Sequence, residues 1–465
     1  MSRSQTALQD TIVAIATPPG RGAIGMVRLS GLQALVIAKQ LFHSRSVLDE
    51  VPFRAVRGDL LDLDSSAPID DGLAIYFPRP RSFTGEDVIE FHCHGAPIVL
   101  QRVVQMAIRS GARTALPGEF TMRAFLNGRI NLTQAEGIRD LINAQTTYQA
   151  QLAVRQTRGE LSFKLQPAKE SLLSMIVHME SSVEFVEENL DTHTRNHIID
   201  QLTNLETNLG ALVATYKAGH LVRQGVSLAI IGRPNVGKSS LFNALLDSDR
   251  AIVTDLPGTT RDTLTESLAI SGIPVRLVDT AGIRATTDVV EKIGVERSYA
   301  ALNEADVVVL VVDVATGIQP EDENLMQLLG ERHAVVVLNK TDLPHKVDEF
   351  TSAIERQHLD VPVVSVSAKT RAGLHELREA IWQVCSGASL DSQPDMLITD
   401  ARHAEKLNET LEALSIARDA LIEGYSEEVP LAGMHRALGA LGEITGEVTV
   451  EQIFDRIFAT FCIGK

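Results

Sequence analysis

Five aliphatic segments that alternate with helical ones between residues 226 and 385 constrain the fold more than any other feature. They read "VSLAIIG", "PVRLVDT", "ADVVVLVVD", "HAVVVLN" and "VPVVSVS". Nearly continuous apolar runs of this length are typical of parallel strands buried on both faces, and the helical segments between them provide the crossovers that parallel strands require. The sequence therefore predicts a doubly wound α/β module here.

The first of these strands leads into the glycine-rich segment "GRPNVGKS" (232 to 239), which opens a helix. A strand, loop and helix in this order bind phosphate, because backbone N–H groups at the helix N-terminus surround the anionic oxygens. Lys238 is predicted to neutralise the β- and γ-phosphates during catalysis, and the Ser239 hydroxyl to ligate Mg²⁺. Glycine at 232 and 237 permits the close approach of the phosphates.

Three later motifs indicate that the nucleotide is GTP. "DTAG" (279 to 282) ends a strand and places Asp279 near Mg²⁺ and the Gly282 N–H near the γ-phosphate. "NKTD" (339 to 342) ends another strand, where the Asp342 carboxylate can accept from two adjacent N–H groups that guanine has and adenine lacks. "SAK" (367 to 369) offers a backbone N–H to the guanine carbonyl.

The groups that would assist GTP hydrolysis are less clearly marked in the sequence, and they leave alternatives open. In "TDLPGTTRD" (254 to 262), Thr260 is a candidate second Mg²⁺ ligand. Ile283 stands where Ras-like GTPases carry a water-orienting glutamine, so either hydrolysis is slow or another group has that role. The Asn235 side chain can ligate a monovalent cation such as K⁺ beside the phosphates, or it can bond its own backbone.

Composition limits the other possibilities. At 465 residues the chain is too long for one core. Its 43 Lys and Arg against 60 Asp and Glu give a net charge of −17, so a nucleic-acid substrate must be held by a local patch or a partner. The three cysteines and the absence of a long apolar run predict a cytoplasmic protein. "HCH" (92 to 94) is predicted to be a packed strand, without the second ligand pair that a metal site needs.

Helical sequence lies on both sides of the α/β module, so we expect that module to be inserted into a discontinuous helical domain. The predicted domains are 1–130, a small α/β domain; 131–224, the first helical part; 225–386, the inserted module; and 387–465, the second helical part. The final "FCIGK" is not a prenylation box, because Gly464 and Lys465 occupy its last positions. A reactive thiol at Cys462 and a buried tail are both compatible with it.

The segments "ATPPGRGAIGMVRLSG", "SFTGEDVIEFHCHG", "PGEFTMRAFLNGRINLTQAEGIRDLI", "GTTRD" and "FCIGK" extend these motifs along essentially the whole chain. The sequence resembles the MnmE (TrmE) family of bacterial tRNA modification GTPases, within the TrmE-Era-EngA-like superfamily. That resemblance implies a homodimer that joins the FAD-containing MnmG (GidA) in an α2β2 heterotetramer. FAD and NADH would be on that partner only, and tRNA would be held mainly through it.

The resemblance also implies chemistry at carbon 5 of the wobble uridine, where an aminomethyl or carboxymethylaminomethyl group is formed. 5-Formyltetrahydrofolate or methylenetetrahydrofolate, bound by the N-terminal domain, would supply the one-carbon unit. The alternative function is that of a GTP-regulated ribosome-assembly factor without nucleoside chemistry.

The resemblance assigns residues to each ligand. The K⁺ ligands would be Asn235, Thr254, the Leu256 carbonyl and Thr259, and the Mg²⁺ ligands Ser239 and Thr260. Glu291 would orient the attacking water, and Cys462 is a candidate for chemistry at the one-carbon unit. The folate-binding residues would be Arg28, Glu90, Arg129 and Lys465, which could otherwise be surface ion pairs. The residues predicted to bind GTP are Asn235, Val236, Gly237, Lys238, Ser239, Ser240, Thr254, Asp255, Leu256, Pro257, Gly258, Thr259, Thr260, Asp279, Thr280, Ala281, Gly282, Asn339, Lys340, Asp342, Ser367, Ala368 and Lys369.

Overall fold

The structure is a computed structural model that describes residues 10–184, 192–248, 267–270, 272–278, 305–330, 332–344, 347–357, 359–386, 398–447, 461 and 464. The chain divides into two compact units. The first comprises Met1–Arg139, Gln156–Ser162 and Gly442–Lys465, and the second comprises Asp140–Arg155 and Phe163–Leu441. The predicted division into four domains stays a prediction.

The first unit contains a sheet whose strands follow the order β3-β4-β5-β6-β2-β1-β7 among the described residues. Neighbouring strands are antiparallel, except that β1 and β7 are parallel. The strands are β1 Ile12–Ile15, β2 Gly22–Ser30, β3 Phe42–Ser44, β4 Val56–Leu61, β5 Pro68–Phe77, β6 Val88–Gly95 and β7 Arg113–Thr114.

The helices α1 (Ala34–Leu41) and α2 (Pro97–Arg109) cover one face of this sheet. Apolar residues alternate along the strands, so that Phe91 and Cys93 of β6 lie in this core while Glu90 and His92 point to the other face. On that other face, Phe120 of α3 (Glu119–Leu126) packs on β1. The same face also carries Arg28 of β2 and Glu90 and His92 of β6.

Two residues of the C-terminal "FCIGK" are described, and both pack within the first unit. Phe461 is buried against Leu132 and Ala135. Gly464 has a φ of +100°, and a Cβ there would lie 2.3 Å from the Ile15 carbonyl oxygen. Only glycine fits so close to the backbone in this left-handed conformation, so the tail is positioned at the end of β1.

Helices flank the α/β module on both sides, as predicted. Before it are α4 (Leu132–Asn143), α5 (Thr147–Thr157), α6 (Glu160–Glu184), α7 (Thr192–Ala214) and α8 (Tyr216–Gln224), and after it α13 (Ala401–Glu423) and α14 (Glu428–Thr445). Helix α13 begins at the N-cap Asp400, which accepts from the Arg402 N–H, and ends at the left-handed Gly424. Of the helices in the described ranges, none combines the length and apolarity needed to cross a membrane.

The α/β module has a sheet in the order β13-β12-β11-β8-β10-β9. All its described pairings are parallel except that of β9 with β10. The strands are β8 Val226–Ile231, β9 Ser267–Ile270, β10 Ile273–Leu277, β11 Val307–Asp313, β12 Ala334–Asn339 and β13 Val363–Val366. The helices are α9 Lys238–Ser248, α10 Pro320–Leu329, α11 Val347–Arg356 and α12 Leu374–Ser386.

This module confirms the predicted fold class. Helices α9 and α12 pack on one face of the sheet and α10 and α11 on the other, so β8, β11 and β12 are buried throughout. The five predicted strands are all present. The short edge strand β9 was missed, because four residues next to a turn carry little periodicity.

Candidate functional site

The phosphate loop joins β8 to α9, and its backbone path depends on residues in the left-handed region. Asn235 has a φ of 63° and Gly237 a φ of +99°. A Cβ on Gly237 would lie 2.3 Å from the Asn339 side-chain nitrogen. Glycine is therefore required where "NKTD" meets the loop, a reason that differs from the predicted approach of the phosphates.

The Asn339 side chain connects three of the predicted motifs. It is almost fully buried, its Nδ2 donates to the Val236 carbonyl oxygen at 2.8 Å, and its Oδ1 accepts from the Ala368 N–H at 3.1 Å. The phosphate loop, "NKTD" and "SAK" are therefore in one place, as the motif order predicted. Both ends of the Asn339 amide are engaged by protein atoms, so this residue positions the two nucleotide-binding loops.

The Lys340 side chain binds the backbone of the phosphate loop. Its backbone has a φ of 68°, and its Nζ donates to the Asn235 carbonyl oxygen at 2.9 Å and to Asp313 Oδ2 at 2.5 Å. Asp313, the last residue of β11, is buried and was not among the predicted site residues. An acidic residue that ends an otherwise aliphatic buried strand was the available signal.

Asp342, predicted to recognise guanine, has an exposed carboxylate in a defined orientation. The Ser367 hydroxyl donates to Asp342 Oδ1 at 2.7 Å, and this hydrogen bond is the main reason that the pKa of Asp342 is lowered. Ser367 is itself buried, and its hydroxyl accepts from the Thr370 N–H at 3.2 Å. The ionised carboxylate is thus held ready to accept hydrogen bonds from a base.

Lys238 closes the phosphate loop. Its Nζ donates to the carbonyl oxygens of Gly232 at 2.8 Å and Arg233 at 2.7 Å, and burial lowers the pKa of Lys238. Arg233 is in turn paired through Nε with Asp322 of α10 at 2.7 Å. The ammonium group is therefore placed inside the loop, and Ser239 and Ser240 follow it in the first turn of α9.

The remaining predicted residues of the nucleotide site fall outside the part of the chain that the structure describes, as do two of the C-terminal residues. They are Thr254, Asp255, Leu256, Pro257, Gly258, Thr259, Thr260, Asp279, Thr280, Ala281, Gly282, Glu291, Cys462 and Lys465. Their roles stay predictions.

Arg28 and Glu90, both predicted to bind folate, contact each other. They are opposite residues on β2 and β6, and Arg28 Nη2 lies 2.7 Å from Glu90 Oε1. Each side chain is 15% exposed, so this is a partly buried pair and not the surface pair considered above. The Arg28 guanidinium carbon lies 5.7 Å from the ring centroids of Phe83 and Phe120, within cation–π range.

Arg129 approaches the same region through the loop that contains Phe83. A Cβ on Gly85 would lie 3.2 Å from Arg129 Cγ, and Gly85 has a φ of +79°. The Asn127 amide donates to the Thr84 carbonyl oxygen at 2.7 Å. Arg28 and Arg129 therefore both lie against the loop at residues 83–85, and Glu90 joins them through its ion pair with Arg28.

A buried ionic network beneath this loop was not predicted. Arg123 is fully buried and pairs with Glu86, Asp10 and Glu119, and the last of these also pairs with Arg113. Burial would raise the pKa of Glu119, but hydrogen bonds from Arg113, the Leu116 N–H and Arg123 outweigh it and leave that pKa lowered. Charged residues in otherwise apolar sequence were the signal, but sequence spacing alone cannot pair them.

The "HCH" segment lies in β6, as predicted, with Cys93 in the core. His94 belongs to the one group of metal-type side chains found in the described ranges, together with Asp70 and Asp71, all with ligand atoms within 4.8 Å. His94 Nδ1 lies 2.7 Å from Asp70 Oδ1, and this hydrogen bond raises the pKa of His94. The arrangement is explained by an ion pair between adjacent strands.

Two family models match this chain. The model described as "GTP-binding protein TrmE N-terminus" matches residues 11–129, and the one described as "MnmE helical domain" matches residues 132–462. The matches thus extend across the first sheet and the helices on both sides of the α/β module.

Curated relatives match over nearly the full length. The tRNA modification GTPase MnmE of Koribacter versatilis (strain Ellin345) is 44% identical over 461 residues, which covers 98% of this chain and 100% of the relative. The protein of the same name from Aquifex aeolicus (strain VF5) is 43% identical over 459 residues, with the same coverage of both chains. That of Alkaliphilus metalliredigens (strain QYMF) is 41% identical over 461 residues, again with 98% and 100% coverage.

Proposed function

This chain belongs to the MnmE family of tRNA modification GTPases, and on that premise we propose that it hydrolyses GTP to drive modification of the wobble uridine of certain tRNAs. The observation that carries the nucleotide part is the Asn339 side chain, which bonds Val236 and Ala368 and so joins the phosphate loop to the base-recognition loop. Asp342, held by Ser367, is then the guanine-selective acceptor.

The proposed phosphate site would also hold Mg²⁺ and K⁺. Ser239 in the first turn of α9 and Thr260 would hold Mg²⁺, which would stabilise negative charge on the phosphates. The side-chain oxygen of Asn235 would hold K⁺, with Thr254, Leu256 and Thr259, while the backbone oxygen of Asn235 accepts from Lys340. K⁺ would supply the positive charge that an arginine finger supplies in other GTPases, and Glu291 would orient the water in place of a glutamine at Ile283.

The face of the first sheet that carries Arg28 and Glu90 is the proposed site for 5-formyltetrahydrofolate or methylenetetrahydrofolate, which would supply the one-carbon unit. Support comes from the partly buried carboxylate of Glu90, which Arg28 orients, and from the aromatic ring of Phe83, which lies against the Arg28 guanidinium. Arg129 and Lys465 would bind the anionic glutamate tail, and Cys462 would act at the one-carbon unit. The position of Phe461 and Gly464 within the same unit supports a contribution of the tail.

The proposed assembly is a homodimer bound to two copies of the FAD-containing MnmG (GidA), which would also use NADH. Within the described ranges, the phosphate loop is the one glycine-rich junction of a strand and a helix, and we assign the redox chemistry to the partner. The net charge of −17 supports binding of tRNA mainly through that partner. The proposed location of the assembly is the cytoplasm.

Nucleoside analysis tests this function. Mass spectrometry of tRNA from cells that lack the gene should show loss of the modified wobble uridine, restoration by the intact chain, and no restoration by Lys238→Ala. Restoration by Lys238→Ala would separate modification from GTP hydrolysis and overturn the proposal. Unaltered nucleosides combined with GTP-dependent co-sedimentation with ribosomes would instead support the assembly-factor alternative.

The role of K⁺ is tested on the purified chain. GTP hydrolysis in K⁺ should exceed that in Na⁺ at equal ionic strength by roughly tenfold or more, because an ion of the wrong size cannot replace the missing positive charge. The preference should disappear in Asn235→Ala. Equal rates in the two salts would remove Asn235 from this role.

A further inference from the structure

The first turn of α5 carries a capping box whose two side chains also reach other elements. The Thr146 hydroxyl accepts from the Gln149 N–H at 3.1 Å, and Gln149 Oε1 accepts from the Thr146 N–H at 3.1 Å. This reciprocal pair satisfies N–H groups that a helix leaves unpaired at its start. The box would be complete with these two bonds alone.

Both side chains use their remaining donors outside α5. The Thr146 hydroxyl donates to the Gly272 carbonyl oxygen at 2.8 Å, in the turn between β9 and β10. Gln149 Nε2 donates to the carbonyl oxygens of Val222 at 2.8 Å and Arg223 at 3.2 Å, in the last turn of α8. We call Thr146, Gln149 and these three carbonyl groups the α5 clamp; all of it lies within the second unit.

Packing makes the α5 clamp tight. Gly272 has a φ of +86°, and a Cβ there would lie 2.7 Å from Tyr148 Cβ, which is closer than such atoms approach. Thr146 is buried, and Tyr148 and Leu152 of α5 pack into the core of the α/β module. A displacement of the β9–β10 turn therefore cannot be absorbed by a gap and must either move α5 or break the Thr146 hydrogen bond.

The turn and the helix end that the α5 clamp contacts are each followed by a strand that runs toward the predicted nucleotide site. Gly225 separates α8 from β8, which runs directly into the phosphate loop. β10, which begins at Ile273, is parallel to β8 and precedes "DTAG" in the sequence. Its five residues span roughly 15 Å, so a rigid strand connects the clamped turn to the nucleotide edge of the sheet.

The α8 end of the clamp is also tied to helices on both sides of the α/β module. Arg223 Nη1 lies 2.7 Å from Asp400 Oδ2, at the start of α13, and its Nε lies 3.2 Å from Asp140 Oδ2 in α4. Burial would raise the pKa of Asp400, but the charges of His403 and Arg223 outweigh it, so the pKa stays well below its usual range. The pair is ionised, and one residue links α4, α8 and α13.

We propose that Thr146 and Gln149 are positioning residues that transmit the nucleotide state of the α/β module to the flanking helices. Breaking the Thr146–Gly272 bond then leaves GTP hydrolysis in place and removes its use in tRNA modification. This inference rests on the proposed function, since it concerns how hydrolysis at the same site is coupled to the modification.

The first test uses hydrogen exchange and requires no tRNA. In the purified full-length chain, the amides of residues 145–149 should exchange at rates that differ by about threefold or more between the GDP state and the state with GDP and aluminium fluoride in K⁺. Thr146→Val, which has the same shape without the hydroxyl, should abolish the difference, and Thr146→Ser should retain it. No difference in the intact chain would overturn the proposal.

The second test measures hydrolysis and modification for the same variants. Thr146→Val should hydrolyse GTP within about twofold of the intact chain but restore about a fifth or less of the modified nucleoside in cells that lack the gene, while Thr146→Ser restores it fully. Full restoration by Thr146→Val, or a parallel loss of hydrolysis and folding in a thermal melt, would assign the clamp a purely structural role.

Failure of the proposed function has a different signature. If Lys238→Ala restores the nucleoside, hydrolysis is not coupled to modification at all, whatever Thr146→Val does. The exchange experiment still decides whether the clamp senses the nucleotide, because it measures the protein alone.

Discussion

The nucleotide site of the α/β module and the charged face of the first sheet are built in opposite ways. The nucleotide site consists of loops at the carboxyl ends of parallel strands, where hydrogen bonds from the uncharged side chains of Asn339 and Ser367 orient the groups that meet the ligand. The face of the first sheet presents charged residues from the middle of strands, and Arg28 and Glu90 neutralise each other there. Directional hydrogen bonds to the backbone, with ion pairs such as Lys340–Asp313 beside them, organise the first site, whereas an ion pair between neighbouring strands organises the second.

This difference determines how each site should respond to change. A site organised by directional hydrogen bonds loses function when one amide or hydroxyl is removed, with little dependence on pH. A site organised by ion pairs over a buried ionic network should respond to protonation and to the loss of one charge. Substitutions and changes of pH can therefore separate the two behaviours.

The largest effect is expected from Asn339→Ala. It removes the amide that bonds Val236 and Ala368, and it leaves a buried carbonyl and an N–H without partners, at about 1 to 3 kcal/mol each. Affinity for a fluorescent GTP analogue should fall roughly 100-fold, while folate binding, measured by calorimetry, should not change. GTP affinity within threefold of the intact chain would show that the loops are held by other contacts.

A smaller loss, with a change of specificity, is expected from Asp342→Asn. The amide offers one acceptor and one donor where the carboxylate offers two acceptors, so GTP affinity should fall about 10- to 100-fold. Xanthosine triphosphate, whose base has an oxygen in place of the guanine amino group, should gain affinity. Competition binding with both nucleotides measures the change of specificity. A parallel loss of affinity for both nucleotides would indicate damage to the loop.

Substitution of Arg28 tests the other site. Arg28→Met keeps the length of the side chain but leaves the Glu90 carboxylate partly buried without its partner, at a cost of about 2 kcal/mol in the free energy of unfolding. Folate binding should fall about tenfold, and GTP hydrolysis should stay within twofold. Arg28→Lys is the matched control, which keeps the charge but loses the planar fork. A loss of GTP hydrolysis as large as that of folate binding would contradict the separation of the two sites.

The smallest effect is expected from pH, and in the first unit. Because the folded-state pKa of Glu119 is lowered, its stabilising contribution is complete above the unfolded value of about 4.5 and is lost as pH falls through the lower folded value. The melting temperature of the intact chain should therefore fall by a few degrees between about pH 5 and pH 3. The melting temperature of Glu119→Gln should be lower than that of the intact chain at pH 7, and it should decline less steeply as the pH falls. Equal slopes of melting temperature against pH for the two proteins would show that titration of the ionic network around Arg123 does not cause the loss of stability.

Prediction from sequence succeeded where one short segment contains a complete piece of chemistry. "GRPNVGKS", "NKTD" and "SAK" each carry their own functional group and the turn that presents it, so their positions in the fold followed from the strands before them. Arg28, Glu90 and Arg129 have no such local context. They were named through the family resemblance, and their residue types would equally suit surface ion pairs.

Local sequence was therefore enough to define the α/β module, its phosphate loop and its preference for guanine, because backbone periodicity and side-chain chemistry act there over a few residues. Tertiary structure decided which distant groups meet. It made Asn339 a bridge between loops, paired Lys340 with Asp313, enclosed Arg123 among three carboxylates, and bonded Thr146 to Gly272. A hydrogen bond or an ion pair depends on distances of a few ångströms in space, and sequence separation does not encode those distances.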